Sequence, residues 1–178
     1  SILNTCRKGF INIHASLLPK WRGAAPIQRS ILNLENETGI SVMQINDKLD
    51  QGNVCSQFKI SINKNDNAED LSTKLSNLAS EKIVGEIEEI FENKKTFFKQ
   101  DHSKATYAKK IKKIEGKINW KDSAENILGK INGLYPNPGA WFYFKGKRYK
   151  ILKANISNNF STPGKVINDN NNVSVLAT

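Results

Sequence analysis

Asn12-Ile-His14, the Ser16-Leu-Leu-Pro19 stretch and Asp50 are the residues of this 178-residue chain whose types and spacing suit chemistry. An amide and an imidazole can both donate hydrogen bonds to an oxygen that becomes an oxyanion. A carboxylate can hold an imidazole charged and oriented, or take a proton from an attacking amine. No serine or cysteine nucleophile is required where the acceptor itself attacks. The competing reading makes His14 a structural histidine at a strand end and Asp50 a turn residue.

These side chains need elements to converge. Gly9–His14 alternates apolar and polar residues and predicts a short strand, which puts Asn12 and His14 on one face about 7 Å apart. Trp21–Pro26 predicts a turn into a helix with Pro26 in its first turn, followed by Ile27, Ile31 and Leu34 at helical spacing. Thr38-Gly39 breaks that helix. Ile40–Ile45 predicts a second strand, Leu49-Asp-Gln-Gly52 a turn, and Val54, Phe58, Ile60 and Ile62 a third strand. With one helix between the first two strands, a βαβ crossover would make them parallel and bring His14 and Asp50 to the same sheet edge. Open α/β sheets bind ligands at that edge. Asn67 predicts an N-cap for a long amphipathic helix through Leu71, Leu75, Leu78, Ile83, Ile87 and Phe91, with Glu69 and Asp70 favourably placed in its first turn.

The second half differs in charge. The chain carries 27 Lys+Arg and 17 Asp+Glu, net +10; residues 1–100 hold 13 and 12 of these, leaving 14 and 5, net +9, for residues 101–178. Lys109, Lys110, Lys112 and Lys113 form one cluster. Lys145, Lys147, Arg148, Lys150 and Lys153 form another, interleaved with Trp141, Phe142, Tyr143, Phe144 and Tyr149. Basic residues among aromatics suit a nucleic acid or another polyanion; a solvated lysine-rich face is the alternative. Asp122 with Glu125 predicts a capping box for a helix through Ile127, Leu128, Ile131 and Leu134, stopped by Pro136 and Pro138. Trp141–Phe144, a Lys145-Gly146 turn and Lys147–Ile156 predict a β-hairpin. Val166-Ile167 and Val173–Leu176 predict two further strands, a pattern that fits a small barrel left unclosed.

No stretch approaches the roughly 20 apolar residues of a membrane-spanning helix. The chain does not open on a secretory leader. Cys6 and Cys55 are too few for a disulfide framework, lack metal-ligand spacing and read as small buried or half-buried residues. A cytoplasmic location is therefore expected. Trp21 and Trp120 read as packing residues, and His102 as a solvated residue. Arg22 and Arg29 suit either an anionic ligand or a surface pairing, and neither is counted in the site. The first residue is Ser1, so both ends are expected to be cut from a longer protein.

Residues Asn12–Arg29, Glu37–Ile45 and Leu49–Gly52 together resemble the signature of methionyl-tRNA formyltransferases. The resemblance continues through Thr106–Ile111, Gly116–Trp120 and Pro163–Val166, covering nearly the whole chain. It implies an α/β fold: a partial Rossmann-like formyltransferase domain over residues 1–93, a linker over 94–112, and an incomplete OB-like β-barrel over 113–178 that holds tRNA. It implies transfer of a formyl group from 10-formyltetrahydrofolate to the α-amino group of methionyl initiator tRNA, without a metal. By matching positions, Asn12, His14 and Asp50 would be catalytic, and Ser16, Leu17, Leu18 and Pro19 would line the folate site. A monomer is expected, and an isolated chain with weak activity or none, since the family's earlier βα units precede this region. The alternatives are a sugar-nucleotide N-formyltransferase, a formyltetrahydrofolate hydrolase, or a non-catalytic tRNA-binding remnant.

Overall fold

The computed structural model describes residues 5–6, 9–157, 162–169 and 172–175. Strand β1 (Ile11–His14) leads through a loop into a two-residue strand β2 (Arg22–Gly23) and helix α1 (Pro26–Leu32). Strands β3 (Glu37–Gln44) and β4 (Val54–Ser61) and the long helix α2 (Ala68–Phe91) follow. Pro26 stands at the start of α1, where its missing N–H costs no helix hydrogen bond. Asn67 caps α2 by accepting from the amides of Glu69 and Asp70, and Asp70 answers the Asn67 amide.

β1, β3 and β4 form one sheet in the order β1-β3-β4. All pairing is antiparallel, with His14 opposite Ser41 and Ile11 opposite Gln44. The expected parallel crossover is therefore wrong. A seven-residue helix spans only about 10 Å, and β3 starts at the edge where β1 ends, so the chain never returns to the other edge as parallel pairing requires.

The register sorts the sheet into two faces. Ile13, Ile40, Phe58 and Ile60 pack with Leu71 and Leu75 of α2, together with Ile31 of α1. The opposite face carries Asn12, His14, Ser41 and Gln57. α2 thus seals one side and leaves the polar side to loops.

The segment after α2 closes that polar side. Val54 and Phe98 exchange main-chain hydrogen bonds at 2.9 Å. Strand β5 (Tyr107–Ala108) pairs in parallel with β2, Arg22 opposite Tyr107 and Gly23 opposite Ala108. Gly23 has φ +115° and a Cβ there would lie 2.9 Å from the Ala108 carbonyl oxygen, so glycine is required on both counts.

Helix α3 (Ala124–Leu134) and the hairpin β6 (Ala140–Phe144) and β7 (Lys147–Ile151) follow. The cap of α3 is Ser123, whose hydroxyl accepts from the Asn126 amide. The expected Asp122–Glu125 box does not form, because Asp122 is engaged by Asn119 and Lys130. The hairpin turns at Lys145 and Gly146, both left-handed, as a two-residue turn demands. Its inner face, with Phe142 and Ile151, covers Ile118, Ile127 and Ile131, and Trp120 packs edge-on against Phe142 at 5.4 Å. β8 (Val166–Asp169) and β9 (Asn172–Val175) form a separate hairpin; Leu176 lies outside the described residues. The result is a mixed α/β fold whose sheets, among the described residues, are all open. No helix among the described residues is long and apolar enough to cross a membrane.

The basic half is fastened to the first by α1 and α3. Gly129 and Gly133 face Ile31, Leu32 and Leu34 at close range. Arg29 grips both oxygens of Glu115, at 2.6 and 3.2 Å, and donates to the Lys109 carbonyl. Arg29 is thus an internal cation rather than an anion receptor. Its guanidinium holds the Glu115 carboxyl below the usual carboxylate range. A depressed folded-state value contributes stability above the ordinary carboxylate range and loses it as pH falls through the depressed value. Glu115→Gln is expected to lower the thermal midpoint at neutral pH, with the gap from wild type closing on acidification. A pH series of thermal melts checks this.

Candidate active site

His14 ends β1, 6 % exposed, and its ring is held from two sides. Nε2 donates to the Trp21 carbonyl at 2.9 Å, while Nδ1 faces Asp50 Oδ2 at 3.8 Å. Because a carbonyl only accepts, Nε2 must carry a proton. Nδ1 is left as the nitrogen that addresses Asp50 and the reacting atoms. An oxygen thus stands beside each ring nitrogen.

Asp50 does not reach His14 along a shared sheet edge. β3 runs away from His14, and the loop after it returns over the polar sheet face. Gln44 and Asn53 close the loop's neck with a main-chain bond of 2.8 Å. Asp50 itself has φ +50°, and its Oδ2 accepts from the Gly23 amide at 2.7 Å. The carboxylate is thereby shared between a backbone donor and the imidazole. Asn12, two residues before His14, shares its face. Its amide makes no side-chain hydrogen bond among the described residues. No buried side-chain N or O there lacks a partner, so the Asn12 amide is open to solvent. The Asn12 amide thus lies on the sheet face of the His14 imidazole, and the Asp50 carboxylate stands beside that imidazole, brought there by a topology other than the expected crossover.

The Ser16–Pro19 loop is pinned to the same face. The Ser41 hydroxyl donates to the Ser16 carbonyl at 2.6 Å and accepts from the Leu18 amide at 3.0 Å. Gln57 donates to the Leu18 carbonyl at 2.7 Å and to Ser41 Oγ at 2.8 Å. The Ser16 hydroxyl is spent internally on the Lys20 carbonyl. Ser16 and Leu18 are buried, and Leu17 and Pro19 are half-buried. Leu18 and Pro19 line a cavity of about 340 Å³ with Val54, Cys55, Gln57 and Gln100. That volume lies at the low end for small-molecule sites. Burial pushes the Cys55 thiol up, which keeps it a neutral wall residue; Cys6, expected to be at least half-buried, is exposed. Among the described residues no group of His, Cys, Asp and Glu could hold a metal ion.

Several residues at the site carried no sequence signal. Ser41 and Gln57 look like ordinary strand residues. Gln100 sits in a lysine-rich stretch, yet it is 8 % exposed and donates to the Asp50 and Gly52 carbonyls at 2.9 and 2.7 Å. Arg22 is 1 % exposed and donates to Gln100 and to His102 Nδ1, so it is no surface anion receptor. His102 is exposed, as expected, but also touches Arg22. Trp21 is half-buried and bonds Glu35 through Nε1, in keeping with a packing role.

Residues 1–87 match the family described as formyl transferase, and residues 110–178 match the formyl transferase C-terminal domain. The chain belongs to the formyl transferase family. Within it, the chain is 62 % identical over 172 residues to the methionyl-tRNA formyltransferase of Pelagibacter ubique, covering 97 % of this chain and 56 % of that protein. It is 43 % identical over 174 residues to the methionyl-tRNA formyltransferase of Thermodesulfovibrio yellowstonii, with coverage of 98 % and 56 %. The chain thus spans about half the length of the curated relatives it matches. A crystal structure of an N-formyltransferase from Helicobacter canadensis, in complex with folinic acid and dTDP-3-aminofucose, superimposes with TM-score 0.79 at 26 % identity, covering 94 % of this chain and 62 % of the other. The methionyl-tRNA formyltransferase of Clostridium thermocellum superimposes with TM-score 0.70 at 22 % identity, covering 94 % and 69 %, and shares the fold.

Gly52 ties the Asp50 loop to β3. A Cβ at Gly52 would lie 1.7 Å from the Gln44 carbonyl oxygen, a backbone atom that cannot move aside. Gly52→Ala is expected to cost about 1–3 kcal/mol. Gly85→Ala, inside α2 with open space around it, should instead stabilise by about 0.5–1 kcal/mol. Denaturant melts of both variants check the contrast.

Proposed function

We propose that the protein transfers a formyl group from 10-formyltetrahydrofolate to the α-amino group of methionyl initiator tRNA in translation initiation. The observation that carries this reading is His14 held between the Trp21 carbonyl and the Asp50 carboxylate, with Asn12 on the same face. The 62 % identity to a methionyl-tRNA formyltransferase supports the acceptor.

Asn12, His14 and Asp50 are the proposed catalytic residues. The neutral amine attacks the formyl carbon and forms the new C–N bond. An α-amino group titrates near 7.7–8.0, so a useful fraction is neutral at physiological pH. The Asn12 amide and His14 Nδ1–H donate to the oxyanion of the tetrahedral intermediate. Asp50 keeps the imidazole charged and takes the amine proton, directly or through water. The bond from the formyl carbon to folate N10 then breaks, and N10 leaves as tetrahydrofolate with the proton that Asp50 took from the amine. Nε2, anchored on Trp21, keeps the ring from turning away. The Ser16–Pro19 loop would receive the folate through its backbone and the apolar surfaces of Leu17, Leu18 and Pro19. The donor is a cosubstrate, and no metal is invoked.

In this reading residues 1–93 belong to the catalytic domain, 94–112 connect, and 113–178 belong to an OB-like tRNA-binding barrel in a monomeric, cytoplasmic enzyme. Charge supports the tRNA assignment: the β6–β7 hairpin holds Arg148 over the buried ring of Trp141 at 4.3 Å, beside an exposed Tyr143. Cations and exposed rings of this kind suit phosphate and base or ribose. The folate-bound sugar N-formyltransferase neighbour makes an amino sugar the rival acceptor.

Two measurements decide. In the full-length gene product, Asp50→Asn is expected to reduce formyl transfer to charged initiator tRNA by several orders of magnitude; a loss within about twofold would make Asp50 a turn residue only. Transfer to a dTDP-amino sugar but not to tRNA would favour the rival acceptor. Replacing Lys147, Arg148 and Lys150 should flatten the dependence of log K for tRNA on log salt, because fewer counterions are released. An unchanged slope places the tRNA elsewhere.

A further inference from the structure

The Asp50 turn is held mainly from outside itself. Asp50 adopts the left-handed region, and the nearest internal main-chain bond, Gln51 N to the Lys48 carbonyl, is long at 3.4 Å. The two carbonyls that bracket the turn tip, those of Asp50 and Gly52, both accept from Gln100 Nε2. We propose that Gln100 is a positioning residue for Asp50: its carboxamide, locked by Arg22, sets where the Asp50 carboxylate stands relative to His14. The inference rests on the formyl-transfer reading above and adds a residue fifty positions away from Asp50 in the chain.

The amide has no freedom to turn over. Gln100 Oε1 accepts from Arg22 Nε at 3.0 Å and Nη2 at 2.6 Å. A flipped amide would set N–H against N–H on one side and oxygen against two carbonyls on the other. Arg22 is equally constrained: almost fully buried, its guanidinium has the uncharged acceptors Gln100 and His102 as hydrogen-bond partners. A buried guanidinium that loses its acceptor keeps an uncompensated charge, so the Arg22–Gln100 contact resists rearrangement. Arg22 also lies in β2 between Trp21, whose carbonyl anchors His14, and Gly23, whose amide anchors the Asp50 carboxylate. Three consecutive residues, Trp21, Arg22 and Gly23, therefore orient the imidazole, the carboxylate and, through Gln100, the backbone that carries the carboxylate.

Gln100→Glu separates the two contacts. Glutamate keeps an acceptor for Arg22 but aims an oxygen at the Asp50 and Gly52 carbonyls. In the full-length gene product, kcat for formyl transfer is expected to fall at least about tenfold, as misplacement of a catalytic group by about 1 Å can do. The loss should fall on kcat more than on KM for either substrate, while the thermal midpoint drops because the Asp50 and Gly52 carbonyls lose their shared donor. In an Asp50→Asn background the same substitution should cost less than about twofold more, since Gln100 acts through a carboxylate already removed. A crystal structure of Gln100→Glu should show the Asp50–His14 separation changed by about 1 Å; this readout needs no activity. Wild-type kcat in Gln100→Glu, an equal loss in the Asp50→Asn background, or an unmoved Asp50 in the crystal would each overturn the proposal. Should Gln100→Glu fail to fold, Gln100→Ala runs the same cycle. Absence of formyl transfer by the wild-type protein would overturn the functional reading instead, and the crystal structure would still decide the role of Gln100.

Discussion

A main-chain clasp between residues 106–108 and residues 21–25 is the constraint on which the candidate site depends. The Arg22 amide donates to the Thr106 carbonyl, the amides of Ala24 and Ala25 donate to the Ala108 carbonyl, and Thr106 Oγ1 accepts from the Trp21 amide. Those bonds hold a stretch with two unusual backbone angles, φ +59° at Trp21 and +115° at Gly23. Such conformations persist only where the surroundings over-determine them. What the strain achieves is direction: the Trp21 carbonyl points at His14 and the Gly23 amide at Asp50.

The three-stranded sheet supplies the opposite wall by the division of its faces. One face is apolar and capped by α2, so strand register cannot slip without burying Asn12 and His14 against leucines. The polar face spends its inward groups on the Ser16–Pro19 loop, through Ser41 and Gln57. The Ser16–Pro19 loop and the proposed reacting residues are therefore set by one register. Arg29 and Glu115 extend the same rigidity to the basic half, since Arg29 stands one turn into α1 and Glu115 lies in the 3-10 turn Lys113–Gly116 that precedes Ile118 and α3. The surface proposed to meet tRNA is thus braced against the helix that leaves the candidate site.

Local signals were legible. The start of α1 at Pro26, the Asn67 cap, the strand alternations and the Lys145-Gly146 hairpin all depend on residues within a few positions of each other. The proline stops and the +9 of the second half are likewise written in the order of residues. Misreadings occurred where two local rules competed: Ser123 and Asp122 both suit an N-cap, and only the pull of Asn119 and Lys130 on Asp122 settles which one serves.

Asn12, His14 and Asp50 could be named as candidates because residue type does not change on folding, and it was the resemblance to the family's motif, more than their spacing, that grouped them. Strand direction could not be read, because a connection of given length permits both parallel and antiparallel returns, and only the packing of a short α1 decides. Nor could the roles of Arg22 and Gln100, which are polar residues buried by contacts 78 positions apart in the chain. Sequence by itself determined which groups are present and which periodicities they follow. Tertiary structure decided which of them lose water, and a polar group that loses water must take the partner that the fold places beside it.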